Sequence, residues 1–152
     1  MIVMKKIIQV SSIDETKALG NKLGELCFEN CVITLSGDLG AGKTTFTQGL
    51  AKGLQIKKTV SSPTFTILKI YQGRLPLYHF DAYRLEGSDE DLGFEEMIDG
   101  DGVAVIEWPQ YMEREIPVER LEIIIHRLND DEREFEMISY GSQYDRLLEE
   151  LV

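Results

Sequence analysis

The residues best suited to chemistry form one glycine-rich stretch, Gly37-Asp-Leu-Gly-Ala-Gly-Lys-Thr44. It fits G-x-x-x-x-G-K-[ST] at every fixed position, a pattern typical of loops that hold nucleotide phosphates. Its glycines let backbone N–H groups turn toward phosphate oxygens, and a following helix N-terminus adds partial positive charge. Lys43 is expected to reach the β- and γ-phosphates, and the Thr44 hydroxyl to bind Mg²⁺. The predicted nucleotide-contacting residues of this loop are Asp38, Leu39, Gly40, Ala41, Gly42, Lys43, Thr44 and Thr45.

Two acidic residues at the ends of predicted strands are candidates to complete the site. A phosphate-binding loop needs a further acidic group near Mg²⁺, usually at the end of a neighbouring buried strand. Glu107 is the first candidate, and Asp81 is the second, either as a metal ligand through water or to orient the attacking water. The sequence predicts Lys43, Asp81 and Glu107 as catalytic residues, and Thr44 and Glu107 as metal ligands. A solvated charge at a strand end is the alternative interpretation of both carboxylates.

Three neighbouring residues each allow two interpretations. His79 alternates with Asp81 along one strand, so the two side chains are expected to share a face. Arg84 follows within reach of a nucleotide or of an acidic residue of a partner protein. A core histidine and a surface arginine are as compatible with the sequence as functional roles are. Trp108 could form a stacking surface, although the sequence favours a place in the core.

The elements around these residues alternate between strands and helices. Ser12-Ile-Asp-Glu15 has the pattern of a capping box that opens a helix to about residue 28. Residues 31–36 are short, β-branched and apolar, as in a central strand covered on both faces. The pattern predicts an α/β fold, a three-layer P-loop NTPase-like domain with a central mixed sheet flanked by helices. The other predicted elements are strands at 6–10, 64–71, 75–81, 103–106, 121–127 and 133–140, and helices at 43–54, from 88 to about 99, and at 143–151.

Length and composition are those of one compact domain spanning residues 1–152. No run of about 18 apolar residues occurs and the first ten residues lack a secretory signal, so a soluble, cytoplasmic protein without membrane contact is expected. The net charge of −11 disfavours direct binding of a polyanion, so any link to RNA is expected to be indirect. Cys27 and Cys31 have no cluster of Cys or His to join, and are expected to be reduced and structural.

Four motifs, taken together and in order, resemble one family. They are the loop at 37–45, Ser61-Ser-Pro-Thr-Phe65, His79-Phe-Asp-Ala-Tyr-Arg-Leu85 and Ile106-Glu-Trp-Pro109. The combination is similar to the TsaE (YjeE) family of ATPases in tRNA threonylcarbamoyladenosine biosynthesis, and it extends over nearly the whole chain. The glycine-rich loop by itself predicts only a nucleotide site, so the tRNA pathway is implied by the resemblance alone.

The resemblance implies an ATPase that binds and hydrolyses ATP with Mg²⁺ and works with the TsaB and TsaD proteins. The TsaB–TsaD complex transfers a threonylcarbamoyl group to the adenosine next to the anticodon in tRNAs that read ANN codons. The chain would support this transfer without performing it, and would meet tRNA only through the complex. The resemblance also implies that Ile13 and Arg133 contact the base and ribose, and that residues 61–64 form a switch-like loop near the γ-phosphate.

Two other functional classes share the loop pattern. A small-molecule kinase would need an acceptor pocket and usually an arginine-bearing lid, and no arginine-rich lid stands out in the sequence. A nucleotide-gated binding module would use the 61–64 loop as a switch, with hydrolysis incidental. The chain has no N-K-x-D motif for recognising guanine, which favours ATP over GTP.

Overall fold

A computed structural model describes residues 3–38, 40–61, 66–87 and 93–151. Within these ranges the strands are β1 (Met4–Val10), β2 (Cys31–Gly37), β3 (Leu68–Tyr71), β4 (Leu77–Asp81), β5 (Val103–Glu107), β6 (Arg120–Arg127) and β7 (Arg133–Tyr140). The helices are α1 (Ile13–Leu26), α2 (Lys43–Gly53), α3 (Glu95–Ile98) and α4 (Ser142–Leu151), with 3₁₀ turns at Ala82–Leu85 and Pro109–Tyr111. None of the described helices combines the length and apolar character needed to cross a bilayer.

The strands form one mixed sheet in the order β1-β7-β6-β2-β5-β4-β3. Strand β2 lies at its centre and runs parallel to both neighbours, β6 and β5, and β4 extends the parallel block beyond β5. The hairpins β3–β4 and β6–β7 and the edge strand β1 pair antiparallel. The predicted mixed sheet and both predicted hairpins are therefore confirmed. The carboxyl ends of β2, β5 and β4 meet at one edge, the place where open α/β sheets bind ligands.

Alternation along the central strands divides the core between the two faces of the sheet. On one face, Ile33 and Leu35 of β2 belong to a cluster completed by apolar residues of α1, α2 and α4. On the other face, Val32 belongs to a cluster with Ile98 of α3 and Met112 after β5. The sheet is thus covered on both sides, and the predicted three-layer α/β fold is confirmed.

Helix α1 begins where the sequence predicts, because a capping box closes its first turn. The Ser12 hydroxyl accepts a hydrogen bond from the Glu15 N–H at 3.1 Å, and the Glu15 carboxylate accepts one from the Ser11 N–H at 3.0 Å. The helix ends at Leu26, two residues before the predicted end, because the backbone of Cys27 turns to an extended conformation.

Helices α1 and α2 pack backbone against backbone through glycine. A Cβ atom added at Gly20 would lie 2.3 Å from the Phe46 carbonyl oxygen, and one at Gly49 would lie 2.2 Å from the Lys17 carbonyl oxygen. Side chains cannot be accommodated at such distances, so glycine is required by the close approach rather than by its conformation. This contact ties α1 directly to the helix that follows the glycine-rich loop.

The predicted helix from 88 to about 99 is found only in its last part. Its predicted start at 88–91 lies outside the described residues. The described helix α3 is a single turn, Glu95–Ile98, whose Ile98 is buried in the second core cluster. It ends at Ile98 with Asp99 as its C-cap, where the sequence predicts the helix to stop.

Cys27 and Cys31 are buried free thiols, with their Sγ atoms 4.0 Å apart. Contact with Cys31 and burial raise the pKa of the Cys27 thiol well above its ordinary value. The Cys27 thiol is therefore protonated at neutral pH and serves packing, because the thiolate is the reactive form of cysteine.

Candidate nucleotide-binding site

The glycine-rich loop joins the end of β2 to the start of α2. Gly40 and Gly42 have φ angles of +81° and +105°, in the left-handed region that glycine adopts readily. Gly42 is the N-cap of α2 and provides no side-chain cap, so the first N–H groups of that helix remain available to a ligand. A helix N-terminus of this kind is suited to bind phosphate.

The structure places the other predicted residues of the glycine-rich loop and of the switch-like loop in several different environments. The Ala41 N–H donates a hydrogen bond to the Asp38 carbonyl oxygen at 2.9 Å, which closes the loop on itself. Thr44 and Thr45 are half-buried in the first turn of α2. Leu39 lies outside the described residues, and so do residues 62–64 of the predicted switch-like loop. Ser61 is exposed and accepts a hydrogen bond from Lys69 Nζ at 2.8 Å.

Lys43 lies at the first position of α2 and reaches back across the loop. Its Nζ atom donates a hydrogen bond to the Gly37 carbonyl oxygen at 2.7 Å and lies 4.3 Å from the centre of the Trp108 ring. The residue is only 8% exposed. Burial lowers the pKa of Lys43, and the negative charges of Glu107 and Asp81 act in the opposite direction. A cation that has lost most of its hydration beside free N–H groups is well suited to bind an anion.

Asp81 and Glu107 lie side by side at the carboxyl ends of β4 and β5. They are direct partners in the parallel register, so their side chains leave the sheet on the same face. Asp81 accepts a hydrogen bond from the Tyr83 N–H at 3.0 Å and caps the 3₁₀ turn that follows. Burial raises the pKa of Asp81, the Tyr83 N–H opposes this rise, and the charge of Glu107 adds to it. The two carboxylates therefore form a concentrated negative site that favours a bound cation.

His79 is completely buried and is paired with Glu107. Its Nε2 atom lies 2.6 Å from Glu107 Oε2, and the other ring nitrogen, Nδ1, has no hydrogen-bond partner among the described residues. The two interpretations of His79 thus combine, since the ring sits in the interior and contacts a predicted site residue.

Trp108 follows β5 directly and has a backbone φ of +58°, which is unusual for a residue with a side chain. It is half-buried, and its ring packs with Tyr83 at 5.1 Å and Tyr111 at 6.5 Å between ring centres. The ring also packs against the second core cluster and lies under Lys43 Nζ. The predicted place in the core is therefore only part of its role, because Trp108 lies at the edge of the sheet and contacts both the core and the glycine-rich loop.

These residues line a cavity of about 950 Å³, near the upper end of the range for small-molecule sites. Arg84 and Trp108, left open by the sequence, lie in its wall. Asp38 and Ala41 lie outside the lining. The predicted residues that the structure brings into the wall are Ile13, Gly40, Gly42, Lys43, Thr44, Thr45, Asp81, Glu107 and Arg133.

Four lining residues were not predicted from the sequence: Thr16, Tyr83, Asp130 and Asp131. Thr16 lies one helical turn after Ile13, so helical periodicity would have identified it. The two aspartates lie in the turn between β6 and β7, and only the tertiary fold brings that turn to the glycine-rich loop. Tyr83 belongs to the motif at residues 79–85, but nothing in the sequence marks it individually as a site residue.

Arg133 links the β6–β7 turn to the glycine-rich loop. Its Nε donates a hydrogen bond to the Ala41 carbonyl oxygen at 2.8 Å, and Nη1 donates one to the Asn129 carbonyl oxygen at 2.6 Å. Ile13, at the start of α1, is 60% exposed and lies in the wall of the same cavity. Both residues are therefore placed beside the site, with Arg133 also holding the loop in shape.

The residues of the cavity fit Mg²⁺ bound jointly with phosphate. Within the described part of the chain there is no cluster of three or more His, Cys, Asp or Glu side chains that could hold a metal ion. Thr44, Asp81 and Glu107 nevertheless place a hydroxyl and two carboxylates around one cavity. Oxygen donors are the ligands that Mg²⁺ prefers, and it is commonly held by one or two carboxylates together with substrate phosphates.

Comparison with known proteins identifies close relatives along most of the chain. A family model described as Threonylcarbamoyl adenosine biosynthesis protein TsaE matches residues 10–135. The tRNA threonylcarbamoyladenosine biosynthesis protein TsaE of Bacillus subtilis is 51% identical over 139 residues, covering 91% of this chain and 88% of that protein. The TsaE protein of Treponema pallidum is 44% identical over 125 residues, covering 81% and 93% respectively.

A solved structure agrees with these sequence matches. The crystal structure of Bacillus subtilis YdiB has a TM-score of 0.87 and 43% sequence identity to this chain, and the match covers 99% of this chain and 96% of that one. The residues matched by the family model include the glycine-rich loop, Asp81 and Glu107. The chain therefore belongs to the TsaE family, which is involved in tRNA threonylcarbamoyladenosine biosynthesis.

Proposed function

We propose that this chain binds ATP together with Mg²⁺ and hydrolyses it to support threonylcarbamoyl modification of tRNA. The observation that carries this proposal is the convergence of Lys43, Thr44, Asp81 and Glu107 on one cavity. These residues come from three separate segments of the sequence, and the parallel sheet brings them to its ligand-binding edge.

Lys43 and the N-terminus of α2 bind the β- and γ-phosphates. In the described structure the Lys43 ammonium group has a carbonyl oxygen as its close partner, and a phosphate oxygen offers it a full negative charge instead. Hydrogen bonds that involve a charged group contribute about 1.5–3 kcal/mol each. The available N–H groups of the loop and helix provide further donors to the same oxygens.

Thr44 and Glu107 hold Mg²⁺ in this proposal, with Asp81 beside them. When bound, the ion neutralises charge that develops on the transferred phosphoryl group. Asp81 is the more exposed of the two carboxylates, and its second oxygen accepts a hydrogen bond from a water molecule and directs that water toward the γ-phosphorus. The hydrogen bond from the Tyr83 N–H fixes the orientation of the Asp81 carboxylate.

Ile13 and Arg133 accommodate the base and ribose. Ile13 offers an exposed apolar surface at the cavity wall, which suits the face of a purine ring. Arg133 has donors at the boundary between the glycine-rich loop and the β6–β7 turn. We assign the base as adenine mainly from the likeness to the TsaE family, and the lack of the guanine-recognition motif N-K-x-D in the sequence also favours ATP over GTP.

The names of the relatives support the assignment to a pathway. We propose that the chain acts in the cytoplasm with the TsaB and TsaD proteins, and that its ATP turnover drives or resets the cycle of their transferase complex. Contact with tRNA is then indirect, through the complex, because a net charge of −11 repels a free polyanion.

Reconstitution of threonylcarbamoyl transfer tests this proposal. TsaB, TsaD, tRNA and the enzyme that supplies the activated threonylcarbamoyl intermediate are combined with and without this chain and ATP. We expect the chain with ATP to increase the number of modified tRNA molecules formed per transferase complex. An unchanged yield rules out the pathway assignment, and transfer of labelled phosphate to a small acceptor instead of its release would identify a kinase.

A further inference from the structure

We infer that His79 is a positioning residue of this site, whose Nε2–H holds the Glu107 carboxylate in the orientation needed to bind Mg²⁺. This inference rests on the proposed function and adds a residue that the predicted site does not contain. His79 itself does not line the cavity, so it acts through Glu107 rather than on the nucleotide.

The geometry of the sheet places the ring directly behind the carboxylate. His79 pairs with Val105 in the parallel register, and Asp81 pairs with Glu107 two residues further along the same two strands. All four side chains leave the sheet on one face. The Nε2 to Oε2 distance is 2.6 Å, and the side-chain exposures are 0% for His79 and 6% for Glu107. The contact is therefore a short hydrogen bond that is almost completely shielded from solvent.

A purely packing role does not account for the choice of histidine. The Nδ1 atom is buried and has no hydrogen-bond partner in the described ranges, and such a group is unfavourable in a protein interior. An apolar ring of similar size would fill the same space without this cost. The gain that offsets it is the hydrogen bond to Glu107, which is the polar contact that the ring makes among the described residues.

The contact also assigns the ring hydrogen and the two carboxylate oxygens. Nε2 must carry hydrogen to donate to a carboxylate. The bond occupies Oε2, so we assign Oε1 as the oxygen that meets Mg²⁺ in the cavity that Glu107 lines. Partners that orient a metal ligand in this way commonly change metal affinity or activity 10- to 100-fold when they are lost.

Three variants separate positioning from packing. His79→Phe keeps a ring and removes the donor, and His79→Gln keeps an N–H donor near the position of Nε2. Phe80→Leu is the matched control, because Phe80 is buried on the same strand but belongs to the core cluster on the opposite face. The thermal unfolding midpoint of each variant first establishes that it is folded.

Two binding measurements and one rate provide the readouts. Calorimetry with EDTA gives the affinity for ATP without metal. The fluorescence of Trp108, the only tryptophan of the chain and the neighbour of Glu107, follows the Mg²⁺ concentration that half-saturates the ATP complex. Steady-state ATP hydrolysis gives kcat and KM.

For His79→Phe we expect metal-free ATP affinity within about twofold of wild type, with half-saturating Mg²⁺ raised and kcat lowered by about 10-fold or more. His79→Gln should recover at least part of both losses, and Phe80→Leu should show neither. The inference is overturned if His79→Phe keeps the wild-type Mg²⁺ dependence and kcat, or if His79→Gln and Phe80→Leu are as impaired as His79→Phe.

The ring itself is observed by two-bond ¹⁵N–¹H NMR spectra of the wild-type protein. His126 is the only other histidine, so a His126→Gln variant assigns the signals. Hydrogen on Nε2 supports the inference, whereas a ring with hydrogen only on Nδ1 overturns it whatever the kinetics show. A wild-type protein without Mg²⁺-dependent ATP hydrolysis contradicts the proposed function instead, so the two failures are distinguishable.

Discussion

Asp81 and Glu107 are direct partners in the parallel pairing of β4 and β5, so the backbone of the sheet holds their carboxylates side by side. Charged groups placed by a sheet edge are less free to move apart than groups on two loops. Their mutual repulsion is therefore built into the fold, and a cation bound between them or beside them relieves it.

Replacing Glu107 should separate binding from turnover. We expect Glu107→Ala to lower kcat for ATP hydrolysis about 10²-fold or more, the scale typical for loss of a group that stabilises transition-state charge. Metal-free ATP affinity should stay within about threefold, because Lys43 and the loop still hold the phosphates. Calorimetry and phosphate release measure the two quantities. Loss of metal-free binding in a folded Glu107→Ala protein would contradict this division of roles.

Replacing Lys43 should weaken the binding of ATP itself. Lys43→Ala removes the buried ammonium group, and we expect the ATP dissociation constant to rise about 10- to 100-fold, equivalent to about 1.5–3 kcal/mol. Lys52→Ala is the matched control, because Lys52 lies on the same helix but is exposed. Calorimetry in EDTA isolates the effect from metal binding. Equal affinity of the Lys43→Ala and Lys52→Ala proteins would remove Lys43 from the phosphate site.

The ionised carboxylate of Asp81 should lower the free energy of unfolding at neutral pH. Burial raises its folded-state pKa above the ordinary value of 3.8, so the native state holds this proton more tightly than the unfolded state does. The stabilising contribution of the protonated group is complete below pH 3.8 and is lost as pH rises through the folded-state pKa. Asp81→Asn removes the charge and retains an oxygen to accept from the Tyr83 N–H.

We therefore expect Asp81→Asn to be more stable than wild type at pH 7.5, while its ATP hydrolysis falls sharply. The stability difference should shrink as the pH is lowered toward 3.8. Urea unfolding at pH 7.5 and at pH 5 measures it, with far-UV circular dichroism as the probe. A variant that is less stable at pH 7.5, by an amount that does not depend on pH, would show that burial of the Asp81 charge carries no cost.

The glycine contact between α1 and α2 should tolerate no side chain. Helix propensity alone favours Gly49→Ala by about 1 kcal/mol, but the new Cβ would lie 2.2 Å from the Lys17 carbonyl oxygen. We expect the clash to prevail and the free energy of unfolding to fall by at least about 2 kcal/mol. Urea unfolding, with Lys52→Ala as the surface control on the same helix, measures the change. Unchanged or increased stability would mean that the helices separate without cost.

Local patterns were sufficient to predict much of the site. The glycine-rich loop, the capping box at Ser12 and the buried strand β5 depend on neighbouring residues or on simple periodicity, and each is found as predicted. The strand-end positions of Asp81 and Glu107 follow from the same periodicity. Parallel strands bring their carboxyl ends to one edge, so convergence on a common cavity was also accessible to sequence analysis.

Contacts between segments distant in sequence could not be predicted. Neither the bond from His79 to Glu107 nor the approach of Asp130 to the glycine-rich loop has a local pattern. The first depends on β4 lying next to β5, and the second on how the β6–β7 turn meets the loop. Trp108 is a further contact that the sequence could not predict. A tryptophan side chain favours burial, and only its position at the sheet edge shows that the ring also lines the cavity.

The glycine contact has a further consequence for which ligands can fit. Gly20 meets Phe46 and Gly24 meets Leu50, so α1 and α2 run in the same direction and both begin beside the cavity. The main chains approach closely at these points, so a shift of one helix against the other would disturb a tightly packed contact. The span from Ile13, the first residue of α1, to Lys43, the first residue of α2, is thereby fixed. The distance between the two helix starts then limits the length of a molecule that can contact both Ile13 and Lys43 in the cavity.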